Sequence, residues 1–208
     1  MHRRRPFVRR RVAAAAAALA GALLVAGCAV GQLGGPATLS RTDVRDALTI
    51  SAWQHAVGKG PMLLEVHGSP TAMAPGDFAH ALAAVMPSSP FHQPARWTAD
   101  RARAGERDSR LVLMFGAPVG ARGATPCATP ESVPVAWGMP DGLAVQMSFC
   151  NGAESMGETR LTGPAVSGPD DPRLISMLRQ AMARLVPVRA REFDDDHLPG
   201  RRCIPPLC

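Results

Sequence analysis

Glu65 and His67 are the residues whose types and spacing come closest to a chemical site. They stand two apart in Met62-Leu63-Leu64-Glu65-Val66-His67, a run that reads as a strand, so both side chains leave on one face. A carboxylate and an imidazole on one face can ligate zinc once a further ligand arrives. His80 is the candidate for it, and His92 could join in space. Nothing in the sequence requires these side chains to converge, so the plainer reading is a solvated or sheet-edge pair, with no bound metal or cofactor. His55 and His197 have no assigned place. Ser69, in His67-Gly68-Ser69-Pro70, falls short of a nucleophile elbow, which needs Gly-x-Ser-x-Gly. The proline after it suits a turn. Asp194-Asp195-Asp196-His197 could attract a divalent cation, but calcium loops alternate their ligands with spacers. A run of carboxylates fits a solvated tail. No catalytic residue is expected, and Gly116-Ala117-Pro118-Val119-Gly120 matches no phosphate-binding loop.

The start of the chain carries the firmer signal. Six arginines and no acid precede Val12. Sixteen residues of Ala, Leu, Val and Gly then run to Gly27. A basic segment followed by a short apolar one is the pattern of a secretory signal. The apolar run is shorter than the roughly 20 residues a permanent membrane helix needs. It ends Leu24-Val25-Ala26-Gly27-Cys28, which resembles the lipobox of bacterial lipoproteins. That resemblance implies a diacylglycerol on the Cys28 thiol and cleavage before it, making 1–27 a signal peptide. The lipid bilayer, reached through acylated Cys28, is then a partner, because stable anchoring takes more than one chain. It also implies a place in the envelope facing the periplasm. Ala29 stands where an aspartate often retains such proteins in the inner membrane, so the outer membrane is favoured.

Charge and cysteines agree with export. Lys and Arg number 23 against 17 Asp and Glu, and the arginines before Cys28 account for the whole excess. The folded part is therefore neutral, and no nucleic-acid partner is expected, since that needs a basic patch on the domain. Beyond Cys28 stand Cys127, Cys150, Cys203 and Cys208, an even number suited to disulfides in an oxidising compartment. Three pairings are possible. The preferred one joins Cys127 to Cys150 and Cys203 to Cys208. The second bond needs a turn through Pro205-Pro206, and a tail with two free thiols is its rival.

These residues must be positioned by a domain with many breaks, given twenty prolines and twenty glycines. We read 28–40 as a flexible tether carrying the lipid, 41–190 as one α/β domain and 191–208 as a polar tail containing Cys and Pro. Ser40 or Thr42 could cap a helix from Asp43, although 49–57 also suits a strand. Strands are expected at 62–67, 95–98, 110–115, 133–137 and 142–150. Helices are expected at 77–86 and after Asp171-Pro172, where Leu174, Ile175, Leu178, Met182 and Leu185 make one apolar stripe. The stretches 100–110, 116–130 and 151–169 read as loops. The fold expected is α+β: a small two-layer sandwich, a mainly antiparallel sheet with helices on one face.

The lipobox, Gly60-Pro61-Met62-Leu63-Leu64-Glu65-Val66-His67-Gly68-Ser69-Pro70, the Arg110–Phe115 run, Phe149-Cys150-Asn151-Gly152 and the last helix together resemble a group of small uncharacterised lipoproteins of alphaproteobacterial type. The resemblance implies no catalytic residues. Two function classes follow. One is a non-enzymatic binding or assembly module on the periplasmic side, whose partner is another envelope protein or a glycan; Arg101, Arg103, Arg107 and Arg110 could touch anionic headgroups or that glycan. The other is a metal- or serine-dependent envelope hydrolase acting on cell wall or lipid, which needs Glu65, His67 or Ser69 in one pocket.

Overall fold

The computed structural model describes residues 37–187. The expected signal peptide, Cys28, most of the expected tether, the expected Cys203–Cys208 bond and the 191–208 tail lie outside the described residues. Six strands form one sheet: β1 (Thr38–Val44), β2 (Met62–His67), β3 (Trp97–Thr98), β4 (Glu106–Phe115), β5 (Leu143–Asn151) and β6 (Glu154–Gly163). Their order in space is β1-β6-β5-β4-β2-β3. The helices are α1 (Asp46–Lys59), α2 (Pro75–Val85), the single-turn α3 (Thr125–Ala128) and α4 (Pro172–Leu185).

The α+β class holds, but the sheet is mixed rather than mainly antiparallel. β1–β6, β6–β5 and β5–β4 pair antiparallel, whereas β4–β2 and β2–β3 pair parallel. The cause lies in the connections. A parallel neighbour needs a crossover, and α2 supplies one between β2 and β3. The chain then returns past β2 to lay β4 on its other side. The apolar Arg110–Phe115 run becomes an interior strand because it packs on both faces. Leu111, Leu113 and Phe115 join the main core with Val145, Met147 and Phe149 of β5. Trp53 and Ala56 of α1, Phe78 and Leu82 of α2, and Leu174, Leu178 and Met182 of α4 complete that core. Val112 and Met114 alternate with these and join Ala117, Ala121, Cys127, Val133 and Cys150 in a second, smaller cluster.

Four expected elements are corrected. The helix expected from Asp43 starts at Asp46, and Thr38–Val44 is a strand that begins inside the expected tether. Neither Ser40 nor Thr42 caps the helix; Arg45 stands at that position. The expected loop at 151–169 contains β6, β1's strand partner among the described residues. Glu154, Ser155, Gly157, Glu158 and Gly163 give β6 little intrinsic strand preference, so pairing on both sides decides it. Gly152, at φ +58°, takes the first central position of the β5–β6 turn, as a two-residue hairpin of the primed kind requires. The expected strand at 133–137 is reduced to one bridge between Ser69 and Trp137. The charged loop at 100–110 is shorter than expected, because β4 begins at Glu106.

The last helix follows its sequence signals. The Asp171 carboxylate accepts from the Arg173 backbone N–H at 2.9 Å, capping α4, and Pro172 occupies the first turn. Leu174, Leu178, Met182 and Leu185 are buried. The side-chain hydrogen bond from Arg173 holds the Asp171 carboxyl far below the usual carboxylate range, with Ser167 adding to it and burial opposing. A depressed folded pKa stabilises the fold above the unfolded value and loses that contribution as pH falls. Wild type is therefore expected to lose about 1 kcal/mol more than Asp171→Asn below about pH 4, since asparagine keeps the cap without the charge. Urea titrations of both proteins at pH 7 and pH 3 check this; equal losses would remove the carboxylate from the account.

Candidate functional site

β2 places Glu65 and His67 on one face, as their spacing requires. The His67 Nε2–H donates to Glu65 Oε1 at 2.8 Å, the carboxylate being able only to accept. Arg110, on the neighbouring β4, donates from Nε to Glu65 Oε2 at 2.9 Å. Arg101, in a turn of 3-10 helix at Arg101–Arg103, reaches the same oxygen at 3.5 Å. Burial alone would raise the Glu65 pKa. The hydrogen bond from His67 and the charges of Arg110, His67 and Arg101 outweigh it, so the pKa lies below the ordinary value and Glu65 is a carboxylate.

Arg110 joins this pair to the disulfide. It is 8 % exposed, donates from Nη1 to the Gly152 carbonyl at 2.9 Å and from Nη2 to the Cys127 carbonyl. Cys150 lies directly opposite Arg110 in the β4–β5 register. Cys127 and Cys150 are bonded, with Cα atoms 5.5 Å apart. One guanidinium thus fastens the β5–β6 turn, the half-cystine segment and the Glu65 carboxylate. Its three-sided fit uses the planar fork of arginine, which lysine lacks.

The arrangement has little capacity left for chemistry. Both Glu65 oxygens are engaged, so the carboxylate is a poor metal ligand or general base as it stands. Ser69 is fully buried; its Oγ accepts the Thr71 backbone N–H at 3.2 Å and lies 3.3 Å from the Thr71 hydroxyl. It is a turn residue. His80 is exposed on α2 and is not brought to Glu65 and His67. Among the described residues no group of three or more His, Cys, Asp or Glu could hold a metal ion. His92 donates from Nε2 to the Pro187 carbonyl at 2.6 Å, and exposed His55 lies 3.8 Å from Glu106. Asp194 to His197 lie outside the described residues. The arginine cluster divides: Arg110 turns inward, Arg101 faces Glu65, and Arg103 and Arg107 stay exposed.

One open pocket of about 320 Å³ lies elsewhere, between β1, β6 and Gly123-Ala124. Asp43, Arg45, Glu154, Met156 and Glu158 line it. Glu158 is 5 % exposed and accepts the Gly123 backbone N–H at 2.7 Å. Arg45 reaches Glu154 at 3.4 Å. This pocket is hidden in the sequence, where Asp43 reads as a helix start and 151–169 as a loop. The only legible signal was the Asn151-Gly152 turn, which predicts a strand on either side. Comparison of the chain with protein-family models, with curated proteins and with solved structures finds no match. Among the described residues no helix is long and apolar enough to cross a membrane.

Proposed function

We propose that this chain is a lipid-anchored envelope protein, held through acylated Cys28 on the periplasmic side, that binds another envelope component rather than turning over a substrate. The observation that carries the non-enzymatic reading is the engagement of Glu65. His67, Arg110 and Arg101 satisfy both its oxygens, and Arg110 is in turn committed to two backbone carbonyls. A group so engaged organises structure. The hydrolase reading would need a nucleophile near His67, and the Ser69 hydroxyl is buried against Thr71 instead. The Cys127–Cys150 bond supports an oxidising compartment, where such bonds persist. The outer membrane is favoured by Ala29 rather than by anything in the fold. We read the domain as two layers: α1, α2 and α4 on the face bearing the main core, and the 116–135 segment over the other.

Intact mass of protein taken from its native membranes, beside a Cys28→Ser variant, tests the anchor. The expected result is loss of residues 1–27 and added acyl mass that the variant lacks. A mature chain starting elsewhere without lipid would overturn the reading. The binding class is tested separately, by whether Glu65→Gln leaves partner capture from those membranes intact. A partner lost only through Glu65 would return the pair to the centre of function.

A further inference from the structure

The chain enters the domain at one end of the sheet. Thr38, which opens β1, stands opposite Thr162 near the end of β6, and Gly163 stands opposite Leu143, which opens β5. β2 and β4 run parallel and finish at that same end, because Phe115 stands opposite Val145. Three loops gather there: 68–74 after β2, 116–121 after β4 and 133–140 before β5. Backbone bonds tie them to one another. The Ser69 N–H donates to the Ala136 carbonyl at 3.0 Å, Ala136 N–H to the Phe115 carbonyl at 2.9 Å, and Met139 N–H to the Pro70 carbonyl at 2.9 Å. None of the three loops contains a charged residue. Each nevertheless holds a large apolar side chain in solvent: Met73, Val119, which is 77 % exposed, and Trp137, which is 55 % exposed. A single exposed apolar side chain is ordinary, but one from each of three adjoining uncharged loops marks a contact surface.

We infer that this end of the domain rests on the bilayer surface, with Val119 and Trp137 in its interfacial layer. The inference rests on the lipid at Cys28 proposed above. Thr38 stands ten positions after Cys28. Ten residues reach at most about 35 Å however they run, so the anchor holds this end of the sheet close to the membrane. A tryptophan ring has an apolar body and one N–H, the chemistry that favours the boundary between headgroups and acyl chains. The missing charges matter as much, because an ionised side chain there would have to leave water. The other exposed large apolar side chains among the described residues, Leu48, Val85 and Phe91, belong to α1, α2 and the connection after α2. Exposed Arg103 and Arg107 lie toward the opposite end, where Glu106 pairs with Met62. They are thereby left to a glycan or a protein rather than to headgroups.

Acylated protein from its native membranes, reconstituted in vesicles of phosphatidylethanolamine and phosphatidylglycerol, tests the inference. Phospholipids brominated high on their acyl chains quench tryptophans in the interfacial layer. Trp53 is fully buried and Trp97 packs against the main core, so Trp137 is the tryptophan within reach. Brominated lipid is expected to lower the wild-type emission, and Trp137→Phe to lose the quenched part. Val119→Asp is expected to reduce the quenching about twofold, since it puts a charge where apolar area was buried. Its thermal midpoint should not move, because the Val119 side chain is outside the core. Acyl mass on the same sample reads the anchor separately. Acylated protein whose emission brominated lipid leaves unchanged would overturn the bilayer contact while the anchor stands. Quenching that persists in full in Trp137→Phe or in Val119→Asp would overturn it too. A Trp137 shielded from aqueous iodide but untouched by brominated lipid is covered by protein, another molecule or this chain's own ends, and the contact falls. Protein without acyl mass removes the anchor and the contact with it.

Discussion

Replacing both half-cystines, Cys127→Ala with Cys150→Ala, is expected to destabilise the fold by about 3 kcal/mol. The two residues are 23 apart in sequence, and closing a loop of that size removes much freedom from the unfolded chain. The folded state has reason to need the bond. The buried cluster it joins holds Val112, Met114, Ala117, Ala121 and Val133 besides the cysteines, with Val135 packed against it, a small core for the 116–135 segment. For a domain of this size the thermal midpoint should fall by about 6–12 °C. Chemical and thermal denaturation of oxidised wild type and the double variant measure the two losses. Added thiol should act slowly on the native protein, since Cys127 and Cys150 are 2 % and 0 % exposed. Equal midpoints would mean that packing and Arg110 hold the segment without the bond.

Arg110→Met is expected to cost about 3–5 kcal/mol, the range for removing one partner of a buried ion pair. Three things fail together. Glu65, only 22 % exposed at its side chain, loses its nearer guanidinium, and the carbonyls of Cys127 and Gly152 lose their donors. The Glu65 pKa should rise, because one cause of its depression is gone. Wild type draws stability from that depression above the ordinary carboxylate value and loses it as pH falls. The variant should therefore show a smaller loss on acidification. Combining Arg110→Met with Glu65→Gln should recover part of the cost, and the coupling in that double-mutant cycle measures the pair itself. A cost under about 1 kcal/mol would show that His67 and Arg101 suffice to hold Glu65.

The parts legible in the sequence are those in which one signal decides. Asp171-Pro172 and the stripe from Leu174 to Leu185 define α4 without reference to anything distant. The apolar runs at β2 and β4 carry their own burial. Cys127 and Cys150 form the preferred pair. What sequence could not give depends on partners far along the chain. Thr38–Val44 and Glu154–Gly163 are polar enough to pass for a helix start and a loop, and each becomes a strand because the other lies beside it. The same holds for the candidate site. Glu65 and His67 share a face, as their spacing requires. The role of Arg110 was hidden, because a single charge heading an apolar run looks the same whether it faces water or a carboxylate. The pocket at Asp43 and Glu158 was invisible for the reason that β1 and β6 were.

The strand order sets a schedule for folding. Thr38 meets Thr162 across 124 residues, so among the described residues the first strand waits for the last. Local pieces, such as the β5–β6 hairpin, can form early, whereas closing β1 onto β6 carries the entropy of a very long loop. During vectorial emergence from the ribosome, residues 38–44 come out well ahead of β6 and wait for it to follow them. Sequences at that position face selection for staying uncommitted in the interval. The polar composition of Thr38–Val44 meets that demand, and replacing its polar residues with β-branched apolar ones would raise the risk of premature association between nascent chains.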